Sequence, residues 1–324
     1  METNQKIISF VIPCYGSEKT VGVVIQEIDE IVGQKNNYDY EVIAVNDHSP
    51  DNVWNVLKEI AEKNSKVRII NLAKNMNRPG AIMAGLSKVS GDYVIMMDDD
   101  GQCPMNNLWE LIKPLEEGHD VAIAKYTEYK QSLFKSFGTV VNKKMTEIVI
   151  EKPKDVNFTN FIAMQRYISD EIIKYKNPYP YFTGLLLRTT SDFVNVKMEE
   201  RSRIAGKSNF TFKKMVSLWI NGFTAFSVKP LRISTFIGFI TAALGFIYGI
   251  YTIIHKLVIH ASVVQGYSSI MAAILFIGGI IMMMLGLIGE YIGRIYISIN
   301  NSPQYVIKEM INMKSQGEEN EENK

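Results

Sequence analysis

Three adjacent carboxylates, Asp98-Asp99-Asp100, close the apolar run Tyr93–Met97 and lead into Gly101-Gln102. In extended chain, alternate side chains share a side, so Asp98 and Asp100 are expected to face together. Two carboxylates so placed suit Mg2+ or Mn2+, hard cations that take oxygen ligands and leave positions for phosphate oxygens. Like charges crowded at the end of an apolar strand repel one another, which marks the cluster as a functional-site candidate. A solvated acidic turn, or a phosphatase with an aspartate nucleophile, has the same local pattern. A second chemistry-bearing stretch is basic: Lys197, Arg201, Arg203, Lys207, Lys213 and Lys214 stand against only Glu199 and Glu200. The planar guanidinium fork suits phosphate, and Gly206 permits close backbone approach. Its plain alternative is a solvated charged run.

Other chemistries are disfavoured. No GxGxxG or GxxxxGK[ST] pattern occurs. Two cysteines, Cys14 and Cys103, cannot form a disulfide framework or a four-cysteine zinc site. The four histidines lack zinc-ligand spacing, and a net charge of +1 over 324 residues argues against a nucleic-acid partner.

The elements that must position these groups alternate. Apolar strand-like runs are read at Ile7–Ile12, Glu41–Val45, Val67–Leu72, Tyr93–Met97 and Val121–Ala124. Between them lie helical patterns at Lys19–Val32, Val53–Ala61, Pro79–Ser87 and Leu108–Leu115. Alternation with apolar strands predicts a mostly parallel α/β sheet covered by helices on both faces. Ligands of such sheets sit beyond the carboxyl ends of the strands. Three of those ends are polar: Pro13-Cys14-Tyr15-Gly16-Ser17-Glu18, Asn46-Asp47-His48-Ser49-Pro50-Asp51, and the acidic triplet.

From Ile233 to Gly289 only Lys256 is charged. Spans are expected at about 233–254 and 266–289, each near the roughly 20 apolar residues that a bilayer requires. Gly278, Gly279 and Gly286 are candidate helix-contact points. Met1–Lys6 leads straight into a strand-like run, so no secretory leader is expected. A hairpin flanked by Lys229, Arg232, Arg294 and Lys308 then implies a multi-pass protein of the cell (inner or plasma) membrane with its large part cytosolic. The expected organisation is a catalytic domain over 1–210, a juxtamembrane helix over 211–232, the hairpin over 233–292 and a cytosolic tail over 293–324. Residues 317–324 read as a disordered acidic end. The basic, amphipathic stretch Lys125–Lys154 and the aromatic stretch Met215–Phe226 are interfacial candidates.

In order along the chain, several stretches carry a family resemblance. They are Val11–Tyr15, Val45–Asp51, Met97–Pro104, Arg203–Ser208, Ser227–Arg232 and Gly289–Arg294. The chain resembles family 2 glycosyltransferases of the Rossmann-like GT-A fold. More narrowly, it is similar to polyprenyl-phosphate glycosyltransferases related to dolichol-phosphate mannose synthase. The resemblance implies a nucleotide-sugar donor, usually a uridine nucleotide, held by Pro13, Tyr15, Glu18, Asp47, Asp98 and Asp99. It implies a metal on Asp98 and Asp100. It implies an acceptor phosphate at Arg203 and Ser208, with Arg201 and Lys207 beside them, and makes Asp98, Asp100 and Arg203 the catalytic set. It further implies inversion at the sugar carbon and self-association. The chain departs from the pattern at Ser17, Ile162, Asn209 and Ser302. The departure at Ile162 replaces a phosphate-binding arginine, for which Arg166 or Arg201 could substitute.

The expected reaction needs little of a protein base. A phosphate monoester has its second pKa near about 6 and is largely dianionic at neutral pH, so a lipid phosphate is already a nucleophile. His48 and His119 are then not needed as bases; His48 is expected to shape its turn. Rival readings keep the fold with a polysaccharide or diacylglycerol acceptor, or make the chain a non-catalytic membrane scaffold.

Overall fold

The computed structural model describes residues 5–126, 153, 155–178, 180–204, 229–259, 266–300 and 302–313. Two compact units make up the chain: residues 1–211 with 301–324, and residues 212–300.

The first unit is an eight-stranded sheet in the order β7-β5-β6-β4-β1-β2-β3-β8. The strands are β1 (Lys6–Cys14), β2 (Tyr38–Asn46), β3 (Val67–Leu72), β4 (Tyr93–Met96), β5 (Val121–Tyr126), β6 (Ile162–Gln165), β7 (Phe193–Met198) and β8 (Ile307–Ile311). Strands β1, β2, β3 and β4 pair in parallel, as do β5 and β7; β6 runs antiparallel to both β4 and β5, and β8 antiparallel to β3. The mostly parallel sheet is therefore present, with antiparallel strands inserted at β6 and added at β8.

Helices α1 (Val21–Val32), α2 (Val53–Lys63), α3 (Asn77–Leu86) and α4 (Leu108–Glu116) connect the parallel strands. Helices α5 (Arg166–Ile172) and α6 (Phe182–Thr189) follow β6. Ile8, Phe10 and Ile12 of β1 face a core with Val24 and Ile28 of α1 and Leu111 and Leu115 of α4. Val11, Ile43 and Val45 are buried on the opposite face, where α3 packs on β1 and β2. Burial on both faces explains why these strands read as mostly apolar runs.

Because β1 lies between β2 and β4, the chain leaves the sheet in opposite lateral directions from β1. The carboxyl ends of β1, β2 and β4 meet at this switch point, where open α/β sheets bind ligands.

The second unit holds α7 (Lys229–Ile259) and α8 (Tyr267–Ile299). Among the described residues, Phe276–Ile299 is long and apolar enough to cross a membrane, and Ser234–Tyr248 is a shorter apolar stretch. The helices touch where a Cβ on Gly238 would stand 2.8 Å from Met284 Cε. Gly278, Gly279 and Gly286 have open space at that position instead, so close packing falls on a glycine that the sequence did not single out. After α8 the chain rejoins the first unit as β8, within the stretch expected as a tail. Residues 317–324, the segment Met215–Phe226 and nearly all of Lys125–Lys154 lie outside the described residues.

Candidate functional site

The acidic triplet follows β4 in a bend, and its three carboxylates go to different partners. Asp98 Oδ1 accepts a hydrogen bond from Arg78 Nε at 2.9 Å, and Arg78 Nη2 lies 2.8 Å from the same oxygen. Asp98 Oδ2 accepts from Asn160 Nδ2 at 2.6 Å. Asp100 Oδ2 stands 3.2 Å from Arg203 Nε, which also donates to Gln102 Oε1 at 2.7 Å. Asp99 turns the other way and accepts the Tyr15 N–H at 3.1 Å. Burial pushes the Asp99 carboxyl up to about 6, partly offset by bonds to its charged form. Asp99 thus fastens the loop after β1, while Asp98 and Asp100 face basic groups.

Strand order decides who meets Asp98. Strand β3 is parallel to β2, so α3 begins at the same sheet edge and delivers Arg78 in its first turn. Strand β6 is antiparallel to β4, with Ile162 opposite Met96, so the residue entering β6, Asn160, lies beside the acidic loop. Ile162 itself is buried in the sheet. Arg166 sits at the other end of β6, where Gln165 pairs with Tyr93, and binds Asp170. Arg201 donates to Glu27 of α1 at 2.5 Å and to Asn106 at 2.9 Å. Neither suggested substitute is at Asp98; Arg78 is. Its nearest sequence signal was the turn-like Asn77-Arg78-Pro79-Gly80, which says nothing about a partner twenty residues away.

The loops after β1 and β2 are laced together. Gly16 N–H donates to Ser49 Oγ at 2.8 Å, and Glu18 N–H to Asp51 Oδ2 at 2.9 Å. The Glu18 carboxylate accepts the Asn52 N–H at 3.1 Å, at the entry to α2. Tyr15 is 47% exposed at the crevice, whereas Pro13 is buried in β1. Asp47 is buried and takes the Met76 N–H on Oδ1 at 2.6 Å, just ahead of α3. Burial raises its carboxyl to about 6 despite backbone N–H bonds from Met76 and Asn77. His48 adopts φ 51° in its turn. His119 pairs with Asp192 ahead of β5, at the sheet edge opposite Asp98.

Beyond β7 the chain crosses the acidic loop as a strap. Arg201 N–H donates to Gln102 O, and Ile204 N–H to Asp100 O, both at 3.2 Å. Gly101 adopts φ +76°, a conformation that favours glycine, and a Cβ there would stand 2.3 Å from Ile204 Cδ1, so a side chain would also have to displace the end of Ile204. Arg203 therefore lies at the acidic loop, and Arg201 turns away from it. Lys207 and Ser208 lie outside the described residues.

Asp98 and Asp100 fit a hard divalent cation in donor chemistry, being oxygen ligands whose charge is now met by arginines. Among the described residues no group of three or more His, Cys, Asp or Glu side chains has ligating geometry. The remaining positions would fall to phosphate oxygens and water. Burial drives both thiols above their usual pKa, Cys103 to about 12, which suits packing and not nucleophilic chemistry.

The signature described as Glycosyl transferase family 2 matches residues 9–173, and that of the GtrB C-terminal hairpin matches residues 229–295. The chain is 33% identical to the putative glycosyltransferase CsbB of Bacillus subtilis, over 94% of this chain and 92% of that protein. It is 32% identical to the SfII prophage-derived bactoprenol glucosyl transferase of Shigella flexneri, over 93% and 97%. The crystal structure of Mycobacterium tuberculosis glucosyl-3-phosphoglycerate synthase superposes with TM-score 0.49 and 17% identity, covering 67% of this chain and 81% of that one.

Proposed function

The chain belongs to glycosyl transferase family 2, and from that premise we propose that it moves a sugar from a nucleoside diphosphate, probed first as a UDP-sugar, onto polyprenyl phosphate. The observation that carries this reading is the end of β4. Two outward carboxylates, each facing a guanidinium, stand at the switch point of the sheet. The likeness to a bactoprenol glucosyl transferase, running through the hairpin, supports the lipid acceptor.

Tyr15 and the Asp47 loop border the crevice on the β1 and β2 side, where the base and ribose would lie. Asp98 and Asp100 would hold a divalent cation, which when bound supplies Lewis-acid counter-charge to the diphosphate leaving group. Arg78 sits where its guanidinium can turn from Asp98 to a phosphate oxygen, adding positive charge to the same end of the donor. Arg203, reached from the strap, would orient the acceptor phosphate. That phosphate attacks the anomeric carbon as a dianion, so no side chain has to remove a proton. The positions of His48 in a turn and of His119 at the far sheet edge agree with this.

The chain enters residues 212–300 from the first unit and returns to it, because β8 pairs with β3. That return supports an even number of membrane crossings. We read α7 and α8 as a two-span hairpin in the cell membrane, with the sheet on the cytosolic side.

The test presents a panel of radiolabelled nucleotide sugars to the full chain in membranes supplied with polyprenyl phosphate, Mg2+ or Mn2+. Label should enter the lipid phase with the wild type and not with Asp98→Asn. Label found only in polymer or in diacylglycerol would reassign the acceptor. A wild type that transfers to nothing in the panel would refute the enzymatic reading.

A further inference from the structure

The segment after α8 does more than close the sheet. Gln304 is buried, and its amide donates to two carbonyls, Tyr175 O and Asn177 O, both at 2.7 Å. A buried amide is tolerated only when so satisfied. On its other side, the backbone carbonyl of Gln304 lies against α3: a Cβ on Gly80 would stand 3.0 Å from it. Two residues on, Val306 O accepts the Ala73 N–H at 2.8 Å. The stretch braced in this way, residues 73–80, carries the Met76 N–H that binds Asp47 and the Arg78 that binds Asp98.

A second amide pins the other end of the tail. Asn312 Nδ2 donates to Ala61 O at 2.7 Å and Val67 O at 2.9 Å. Strand β8 is antiparallel to β3, with Ile307 beside Leu72 and Ile311 beside Ile69. Gln304 therefore lies at the site end of β3 and Asn312 at the opposite end. The two residues make the same kind and number of amide bonds, yet only one touches the frame of the crevice.

We propose that Gln304 is a positioning residue of the donor site. The chain returning from the second apolar helix forms a wall behind the entry to α3, and Gln304 locks that wall to the Tyr175–Asn177 loop. Met76 is thereby held on Asp47, and Arg78 on Asp98. Affinity for the nucleoside diphosphate then depends on residues that lie beyond the hairpin in sequence and do not touch the ligand. This inference rests on the donor reading above for its binding consequence, but not for its structural one.

The experiment compares Gln304→Ala, Gln304→Asn, Gly80→Ala and Asn312→Ala in the full chain, purified in lipid nanodiscs. Amide hydrogen exchange over residues 73–80 reports the frame, and UDP binding in Mn2+ reports the site. Gln304→Ala should speed exchange over 73–80 by roughly tenfold and raise the UDP Kd by about five- to twentyfold. Gln304→Asn, one methylene too short for both carbonyls, should fall between it and wild type. Gly80→Ala, whose Cβ would meet Met76 Cβ at 2.6 Å before the Gln304 carbonyl at 3.0 Å, loosens 73–80 directly and sets the exchange expected of a displaced frame with the tail intact. Asn312→Ala, which also puts alanine at φ 59°, should lower the melting temperature at least as much as Gln304→Ala while leaving both readouts near wild type. Equal effects of Asn312→Ala and Gln304→Ala on 73–80 would make the tail a mere anchor and overturn the proposal, as would unchanged exchange in Gln304→Ala. If wild type binds no UDP while Gln304→Ala alone loosens 73–80, the positioning role stands and the donor reading falls.

Discussion

Replacing Arg203 by alanine should move two binding steps in opposite directions. Its Nε is shared between Gln102 Oε1 and Asp100 Oδ2, at 2.7 and 3.2 Å. The pair is only partly sheltered, with side chains 39% and 17% exposed. After solvent screening such a pair contributes at most about 1 kcal/mol. Its removal frees Asp100 and should tighten Mn2+ binding by up to about fivefold. Loss of one charged hydrogen bond to the acceptor phosphate costs about 1.5–3 kcal/mol, a ten- to hundredfold fall in kcat/KM for polyprenyl phosphate. Mn2+ titration of the substrate-free protein measures the first effect. Initial rates at saturating donor and varied lipid phosphate measure the second. Arg203→Lys should restore part of the acceptor loss and not all, because the planar fork is gone. Weaker Mn2+ binding together with unchanged acceptor use would refute the placement of Arg203 between the metal carboxylate and the acceptor.

Further outcomes are expected. Asp98→Asn should lower transfer by at least about a hundredfold while the melting temperature stays within a few degrees, since Arg78 and Asn160 still surround the position; near-normal turnover would remove the metal from Asp98. Asp47 and Asp99 both have raised folded-state pKa values of about 6, so between about pH 4 and 6 the folded chain binds more protons than the unfolded chain. Stability should therefore fall as pH rises through that window. Asp47→Asn should flatten the slope, read as melting temperature against pH, and Asp47→Ala should raise the donor Kd more than it lowers kcat. Gly101→Ala should destabilise the first unit by about 1–3 kcal/mol, because both φ +76° and the Ile204 side chain oppose a Cβ. Adding Ile204→Ala should recover the steric part alone, as followed by thermal denaturation.

Local regularities were legible from the residues. Strands β1 to β5 are mostly apolar runs because both faces of a parallel sheet are covered, and α1, α2 and α4 show one-sided apolar spacing. The period-two expectation separated Asp98 and Asp100 from Asp99; in the structure the triplet lies in a bend beyond β4, and Asp99 accepts the Tyr15 N–H while Asp98 and Asp100 meet arginines. The long stretch before Gly289, charged only at Lys256, announced the apolar helices without their contact point. By contrast, β6 has four residues, too few to show a period. Strand β8 places Lys308 and Glu309 on an exposed edge, where charge is common and hydrophobic alternation is lost.

What only the tertiary structure decided is which distant loops share the sheet edge. Arg78 meets Asp98 because β3 runs parallel to β2 and releases α3 at the carboxyl edge. Asn160 meets it because β6 runs the other way and enters there. Gln304 meets α3 because the chain comes back from the hairpin to pair with β3. None of these contacts has a periodicity, since each depends on strand order and direction. Those are settled by burial summed over the whole sheet, and no window of sequence contains that sum.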